Sequence, residues 1–209
     1  LAYLIRNRNR VVDRQEILDK DLRHVWHPLA QHKALEKNPP MVVVKAHGST
    51  IEEASGKQYI DSMAGLWCVN VGYGRQEIVQ AAFEQMQFLS YYPHTHVNVP
   101  ATRFAEELTS LFREDLNHVY FVNSGSEANE AALKFARQYT RQEFHGQNRY
   151  KIIGRYYAYH GVTMATLAAG GMADRKVKFE PLTDGFIHVP PPYCYRCPLG
   201  KTYPGCDLA

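Results

Sequence analysis

A chain of 209 residues, 45% of them hydrophobic and 22% charged, has the balance of a folded globular protein rather than a disordered one. Its formal net charge of +3, with Lys and Arg scattered apart from Arg6, Arg8 and Arg10, gives no reason to expect a nucleic-acid partner. No apolar run approaches the roughly 20 residues that span a bilayer, "LAYLI" is too short for a signal-peptide core, and the four Cys read as thiols of a cytoplasmic protein with no membrane partner.

In chain order, "DRQEILDKDLRHVWHP" predicts a helix broken by Pro28, its carboxylates early and its basic residues late, as the helix dipole favours. "MVVVKAHGSTIEEASGKQYIDS" predicts a small β-meander, with turns at His47-Gly48-Ser49 and Ser55-Gly56-Lys57. "GLWCVNVGYG" follows as a loop rich in Gly and aromatic residues. Helical patterns run over 75–89 and 100–112, the second with an i, i+3, i+4, i+7 stripe through Phe104, Ala105, Leu108, Leu111 and Phe112. "HVYFVN" reads as a buried strand. The helix after it is expected to bury Ala128, Ala131, Ala132, Phe135, Ala136 and Tyr139 and to pair Glu130 with Lys134 on its outer face. "KIIGRY" and "GFIHVP" read as further strands, so alternating strands and helices predict an α/β domain with a mostly parallel sheet.

Three stretches carry the chemistry. In "FVNSGSEANEAALKFARQY", Ser124-Gly125-Ser126 stands between a strand pattern and a helix, where free amides and the helix dipole favour a phosphate. The other reading of the same residues is an ordinary Ser N-cap. The stretch has neither the Lys-Ser/Thr ending of a nucleotide P-loop nor the spaced glycines of a dinucleotide site, so a ligand with one phosphate fits best. In "YYAYHGVTMATLAAGG", Tyr159 and His160 follow a strand and open onto a helix, which suits a Tyr lying against a planar ring. Trp67 is a large apolar wall on a Gly-flanked loop.

"NSGSEANEAALKFARQY", the Tyr-His-Gly turn with "TMA" after it, and "GLWCVNVGYG", in this order and spacing, resemble the N-terminal half of a class III aminotransferase from about His24 onward. The resemblance implies a fold-type-I α/β scaffold and pyridoxal phosphate as cofactor. It implies that Gly125 and Ser126 bind the cofactor phosphate with Ser124 beside them, that Tyr159 stacks on the pyridine ring, that His160 supports that turn, and that Trp67 lines the substrate pocket. It places residues 1–70 in a helix-plus-meander segment of the small domain and 71–209 in the first part of the large cofactor-binding domain. It also implies a homodimer, with "YYPHTHVNVP" reaching the partner subunit's site.

Leu1 in place of an initiating Met, and an end, "GCDLA", without helix or strand pattern, lead to the expectation of a fragment. By the resemblance, the Schiff-base Lys, the acid at the pyridinium nitrogen and the carboxylate-binding Arg lie beyond Ala209, so no catalytic residue is assigned within the chain. The 209 residues alone are expected to be inactive and to be insoluble or partly unfolded.

The diaminopelargonate branch of the family has a Tyr after Trp-His-Pro, whereas here Trp26-His27-Pro28 is followed by Leu29. The text around "YCYRCPLGKTYPGCDLA" resembles the taurine and β-alanine:pyruvate branch instead. The expected reaction therefore moves an amine from an ω-amino donor to pyruvate or another 2-oxo acid, with the biotin-pathway aminotransferase as the alternative. Cys194, Cys197 and Cys206 raise a rival of another kind, a metal-stapled interaction module, since Cys-x2-Cys has zinc-like spacing and a fourth ligand could come from His188 or a partner chain, but the segment resembles a metal-free surface loop of this branch and no metal is assigned. Cys68, beside Trp67, is expected to pack as a small residue.

Overall fold

The computed structural model of the chain describes residues 13–145 and 147–206. The Arg6, Arg8 and Arg10 cluster, the "LAYLI" segment and the last residues of "GCDLA" lie outside them. The described residues form two compact units divided between Asn98 and Val99.

The first unit opens with α1 (Arg14–His24), capped by Asp13, whose Oδ1 accepts from the Glu16 amide at 2.9 Å. The helix stops at His24, short of the expected break at Pro28. The reason lies in the proline: its ring clashes with the carbonyl four residues back, which is that of His24. Asp21 Oδ2 and His27 Nε2, 2.6 Å apart, clip the corner, and a short α2 (His32–Lys37) that sequence periodicity did not reveal follows. The meander is present as β1 (Val43–His47), β2 (Thr50–Glu53) and β3 (Gln58–Ile60), antiparallel and in sequence order. Its two turns fall at Gly48-Ser49 and Ser55-Gly56, where the sequence put them. After a tight left-handed turn at 64–67, α3 (Gln76–Phe88) completes the unit.

The second unit contains α4 (Val99–Ser110), α5 (Gly125–Glu143), β4 (Ile152–Arg155), α6 (Met164–Ala169), α7 (Ala173–Lys176) and β5 (Phe186–Val189), then a 3-10 turn at Cys194–Arg196. β4 and β5 pair in parallel, from Ile152 opposite Phe186 to Arg155 opposite Val189. The core lies under α6, where Ala168, Ala169 and Thr166 are buried. This is a mixed α/β architecture with a parallel ladder and flanking helices, as expected from the alternation of patterns.

Two expectations fail here. "HVYFVN" is not a strand: 118–123 makes no ladder with any described segment, and a strand exists only through its partner. The apolar stripe of α5 is real but only partly covered: Tyr120 meets Phe135 edge-on and Phe121 stacks on Phe104, yet Phe135 and Tyr139 stay exposed, as do Phe104 and Phe112 of the preceding helical stripe. Among the described residues, no helix is long and apolar enough to cross a membrane.

Candidate functional site

The junction at 123–127 is built by reciprocal capping. Ser124, in extended backbone, is the N-cap of α5, and its Oγ accepts from the Glu127 amide at 3.2 Å. Glu127 reaches back, its Oε2 accepting from the Asn123 amide at 2.7 Å. Capping and anion binding are therefore not rivals here. Ser124 satisfies the third amide of the helix and leaves the first two, those of Gly125 and Ser126, with no protein acceptor among the described residues. A Cβ placed on Gly125 would meet no atom within 4 Å, so the approach to those amides is open.

The second turn lies against the start of this helix. The Val162 amide donates to Ser126 Oγ at 3.1 Å, and Asn129 Nδ2 donates to the His160 carbonyl at 2.7 Å. Thr163 Oγ1 donates to Glu130 Oε1, which takes Glu130 away from the expected partner Lys134. Gly161 makes the approach possible: its φ is +133°, and a Cβ there would lie 2.6 Å from both Ser126 Oγ and Thr166 Oγ1. Thr163 and Thr166 form a capping box at the start of α6 and so hold the far side of the turn. Ser124, Gly125, Ser126 and the Tyr159-His160 turn thus gather at one helix N-terminus, just after the carboxyl end of β4.

Tyr159 is about half exposed, and the Arg175 guanidinium sits over its ring, 5.4 Å from the centroid. His160 acts through its carbonyl, while its residue also lines a cavity of about 230 Å³ between α5 and β4. Asn129, Thr163, Thr166 and Arg175 escaped the sequence reading, and Gly161 entered it only as the end of the Tyr-His-Gly turn. A His-Gly pair followed by Thr-x2-Thr was the one local signal available; the other partners are tens of residues apart in the chain.

Trp67 belongs to the first unit and is 75% exposed. It closes a left-handed turn in which Ala64, Gly65, Leu66 and Trp67 have φ of 48°, 58°, 59° and 65°. Left-handed backbone costs a residue other than Gly about 1–3 kcal/mol and clusters at functional sites. Cys68 is exposed, not packed, because that turn directs it outward, and its Sγ donates weakly to the Leu66 carbonyl at 3.5 Å.

Cys194, Cys197 and Cys206 line one cavity of about 520 Å³ beside the ends of β4 and β5, together with Arg155 and Lys201. Among the described residues, no group of three or more His, Cys, Asp or Glu is arranged to hold a metal.

Residues 32–203 match the family "Aminotransferase class-III". The uncharacterized aminotransferase YhxA of Bacillus subtilis is 46% identical over 184 residues, 88% of this chain and 40% of that protein. The taurine–pyruvate aminotransferase of Rhodobacter capsulatus is 41% identical over 185 residues, covering 88% of this chain and 40% of that one. In fold, the chain superposes on the omega transaminase of Pseudomonas jessenii solved in complex with PMP, with a TM-score of 0.82 and 30% identity over 88% of this chain and 41% of that one. The chain spans about 40% of the length of the curated relatives it matches.

Proposed function

The chain belongs to the class-III aminotransferase family, and on that premise we propose that its protein transfers an amino group from an ω-amino donor to pyruvate or another 2-oxo acid with pyridoxal phosphate as cofactor. Taurine and β-alanine are the donors to test first. The observation that carries this reading is the pair of unengaged amides at Gly125 and Ser126, open to solvent at the positive end of a 19-residue helix.

The residues fit the cofactor group by group. Two free amides and the Ser126 hydroxyl, whose oxygen already accepts from Val162 and whose proton remains to donate, suit a phosphate monoester. Ser124 orients the first turn through its cap. Tyr159 offers a half-exposed ring to a planar heterocycle, and the Asn129–His160 bond fixes the backbone that carries it. When bound, pyridoxal phosphate supplies the electron sink that lets the donor carbon lose a proton. What this chain supplies is anchorage: it holds the phosphate end still so that the ring faces the reacting carbon in one orientation. Trp67 supplies an apolar wall of the donor pocket.

The same reading makes the protein a cytoplasmic homodimer, with 1–70 in its small domain and 71–209 in its large cofactor-binding domain. Titration of the full-length apoprotein with pyridoxal phosphate tests it. A yellow absorbance band that borohydride abolishes, and taurine- or β-alanine-dependent consumption of pyruvate, are expected. Failure to bind the cofactor sinks the reading; binding without turnover of any ω-amino donor sinks the substrate assignment alone.

A further inference from the structure

The exposed Trp67 owes its place to a carboxylate six residues upstream. Asp61 Oδ2 accepts from the Gly65 amide and from the Tyr73 hydroxyl, both at 2.7 Å, and its Oδ1 accepts from the Met63 amide at 3.1 Å. Both Asp61 and Tyr73 are tied to the turn between β1 and β2. The Asp61 amide donates to the Ser49 carbonyl at 2.8 Å, and Tyr73 exchanges two backbone bonds with Gly48 at 2.8 and 3.0 Å. The loop between them is thus clamped at both ends to one rigid hairpin, with the carboxylate bridging across its interior.

Within that clamp, the left-handed turn has little freedom. A Cβ on Gly65 would lie 2.7 Å from Val69 Cγ2 and 2.9 Å from the Tyr73 hydroxyl, so a side chain there would push the hydroxyl off the carboxylate. The Trp67, Cys68 and Val69 amides donate back to Met63 and Ala64 carbonyls at 2.9 to 3.0 Å, which closes the turn. Three residues other than Gly in left-handed backbone do not stay there unaided. Three hydrogen bonds to an ionised carboxylate are the stabilisation on hand, and bonds to a charged group are the strong kind.

We propose that Asp61, with the Tyr73 hydroxyl as its partner, is the positioning residue that fixes the turn carrying the Trp67 indole and thereby sets how large an amine donor the protein accepts. The inference rests on the reading of Trp67 as a wall of the donor pocket. Asp61 touches neither donor nor cofactor; its effect passes through the turn. Removing the carboxylate frees the strained turn to relax and shifts the backbone that carries the indole.

The test uses the full-length protein loaded with pyridoxal phosphate and labelled with 5-fluorotryptophan. Trp67→Ala identifies the Trp67 fluorine resonance by its loss. Asp61→Ala is expected to shift or broaden that resonance. It is also expected to lower the kcat/KM preference for β-alanine over a bulky arylalkylamine by at least tenfold, with KM for the bulky amine falling more than kcat changes. Asp61→Asn, whose amide oxygen still accepts from Gly65 and Tyr73, restores part of both signals. Tyr73→Phe, which keeps the fold's apolar bulk, moves the resonance in the same direction by less and serves if Asp61→Ala does not fold. A Trp67 resonance unchanged in both Asp61→Ala and Tyr73→Phe overturns the inference. If Trp67→Ala leaves the donor preference unchanged while Asp61→Ala still moves the resonance, the pocket-wall reading fails and the donor-size claim falls with it, although the clamp stands.

Discussion

Replacing Gly161 by Ala tests how the two turns of the proposed cofactor site are joined. The added methyl would lie 2.6 Å from Ser126 Oγ and from Thr166 Oγ1, and 2.9 Å from Thr166 Cβ. Thr166 cannot swing away: it is fully buried, and its hydroxyl is engaged by the Thr163 amide at 3.1 Å and the Thr163 hydroxyl at 2.7 Å. Overpacking of this kind costs about 1–3 kcal/mol, and a side chain at φ +133° adds about 1–2 kcal/mol. If the turn retreats to relieve the clash, the bond from the Val162 amide to Ser126 is lost, at about 1 kcal/mol. The sum is on the order of 3–6 kcal/mol, expressed either as lost stability or as weakened cofactor binding, because the proposed site assembles only when both turns meet. At about 1.4 kcal/mol per tenfold, pyridoxal phosphate affinity should fall by roughly a hundredfold or more if the turn retreats. Thermal unfolding and cofactor titration of the full-length Gly161→Ala protein measure both routes. Wild-type melting together with wild-type affinity would refute the packing described here.

Gly125→Ala is the contrasting case: with no atom within 4 Å of the new methyl, the helix should gain up to about 1 kcal/mol in stability while cofactor affinity drops at least tenfold, so melting and titration should move in opposite senses. Ser124→Ala removes the bond to the Glu127 amide and should cost about 1 kcal/mol in an equilibrium melt, with a smaller loss of affinity than Gly125→Ala. The Asp61 clamp should depend on pH at both extremes. The bond from Tyr73, then that from the Gly65 amide, holds the Asp61 carboxyl below its usual 3.8, so its contribution is complete above that value and fades as pH falls through the lowered one. Tyr73 is held above its usual 10.0, first by the bond to Asp61 and also by the nearby Cys68, so its contribution is complete below 10.0 and is lost as pH rises through the raised value. Fluorine resonance of labelled Trp67 should stay flat between these limits, and Asp61→Asn should abolish the acid-side change; an unaltered acid limb in that variant would count against the assignment.

Much of the fold was legible because its signals are local. Ser124 three residues before Glu127 announces a helix start, Gly48-Ser49 and Ser55-Gly56 announce hairpin turns, and Pro28 limits α1 through the carbonyl of His24. What was not legible depends on partners far along the chain. Val119, Phe121 and Val122 have strand-like character, but whether 118–123 becomes a strand depends on a neighbour to pair with, which no local pattern encodes. The same holds for Phe135 and Tyr139, whose helical spacing reports an apolar face but not what covers it. Around the 123–127 junction, Ser126 and Tyr159 could be singled out by type and position, whereas the pairing of Ser126 with Val162 and of Asn129 with His160 follows only from the folded chain, as does that of Asp61 with Tyr73 in the first unit.

The most direct measurement is a crystal structure of the full-length protein with pyridoxal phosphate bound. The account predicts phosphate oxygens within about 2.7–3.2 Å of the Gly125 and Ser126 nitrogens, with the Tyr159 ring against the pyridine. A phosphate seated elsewhere, or those two amides donating to protein acceptors while the cofactor is bound, would contradict it.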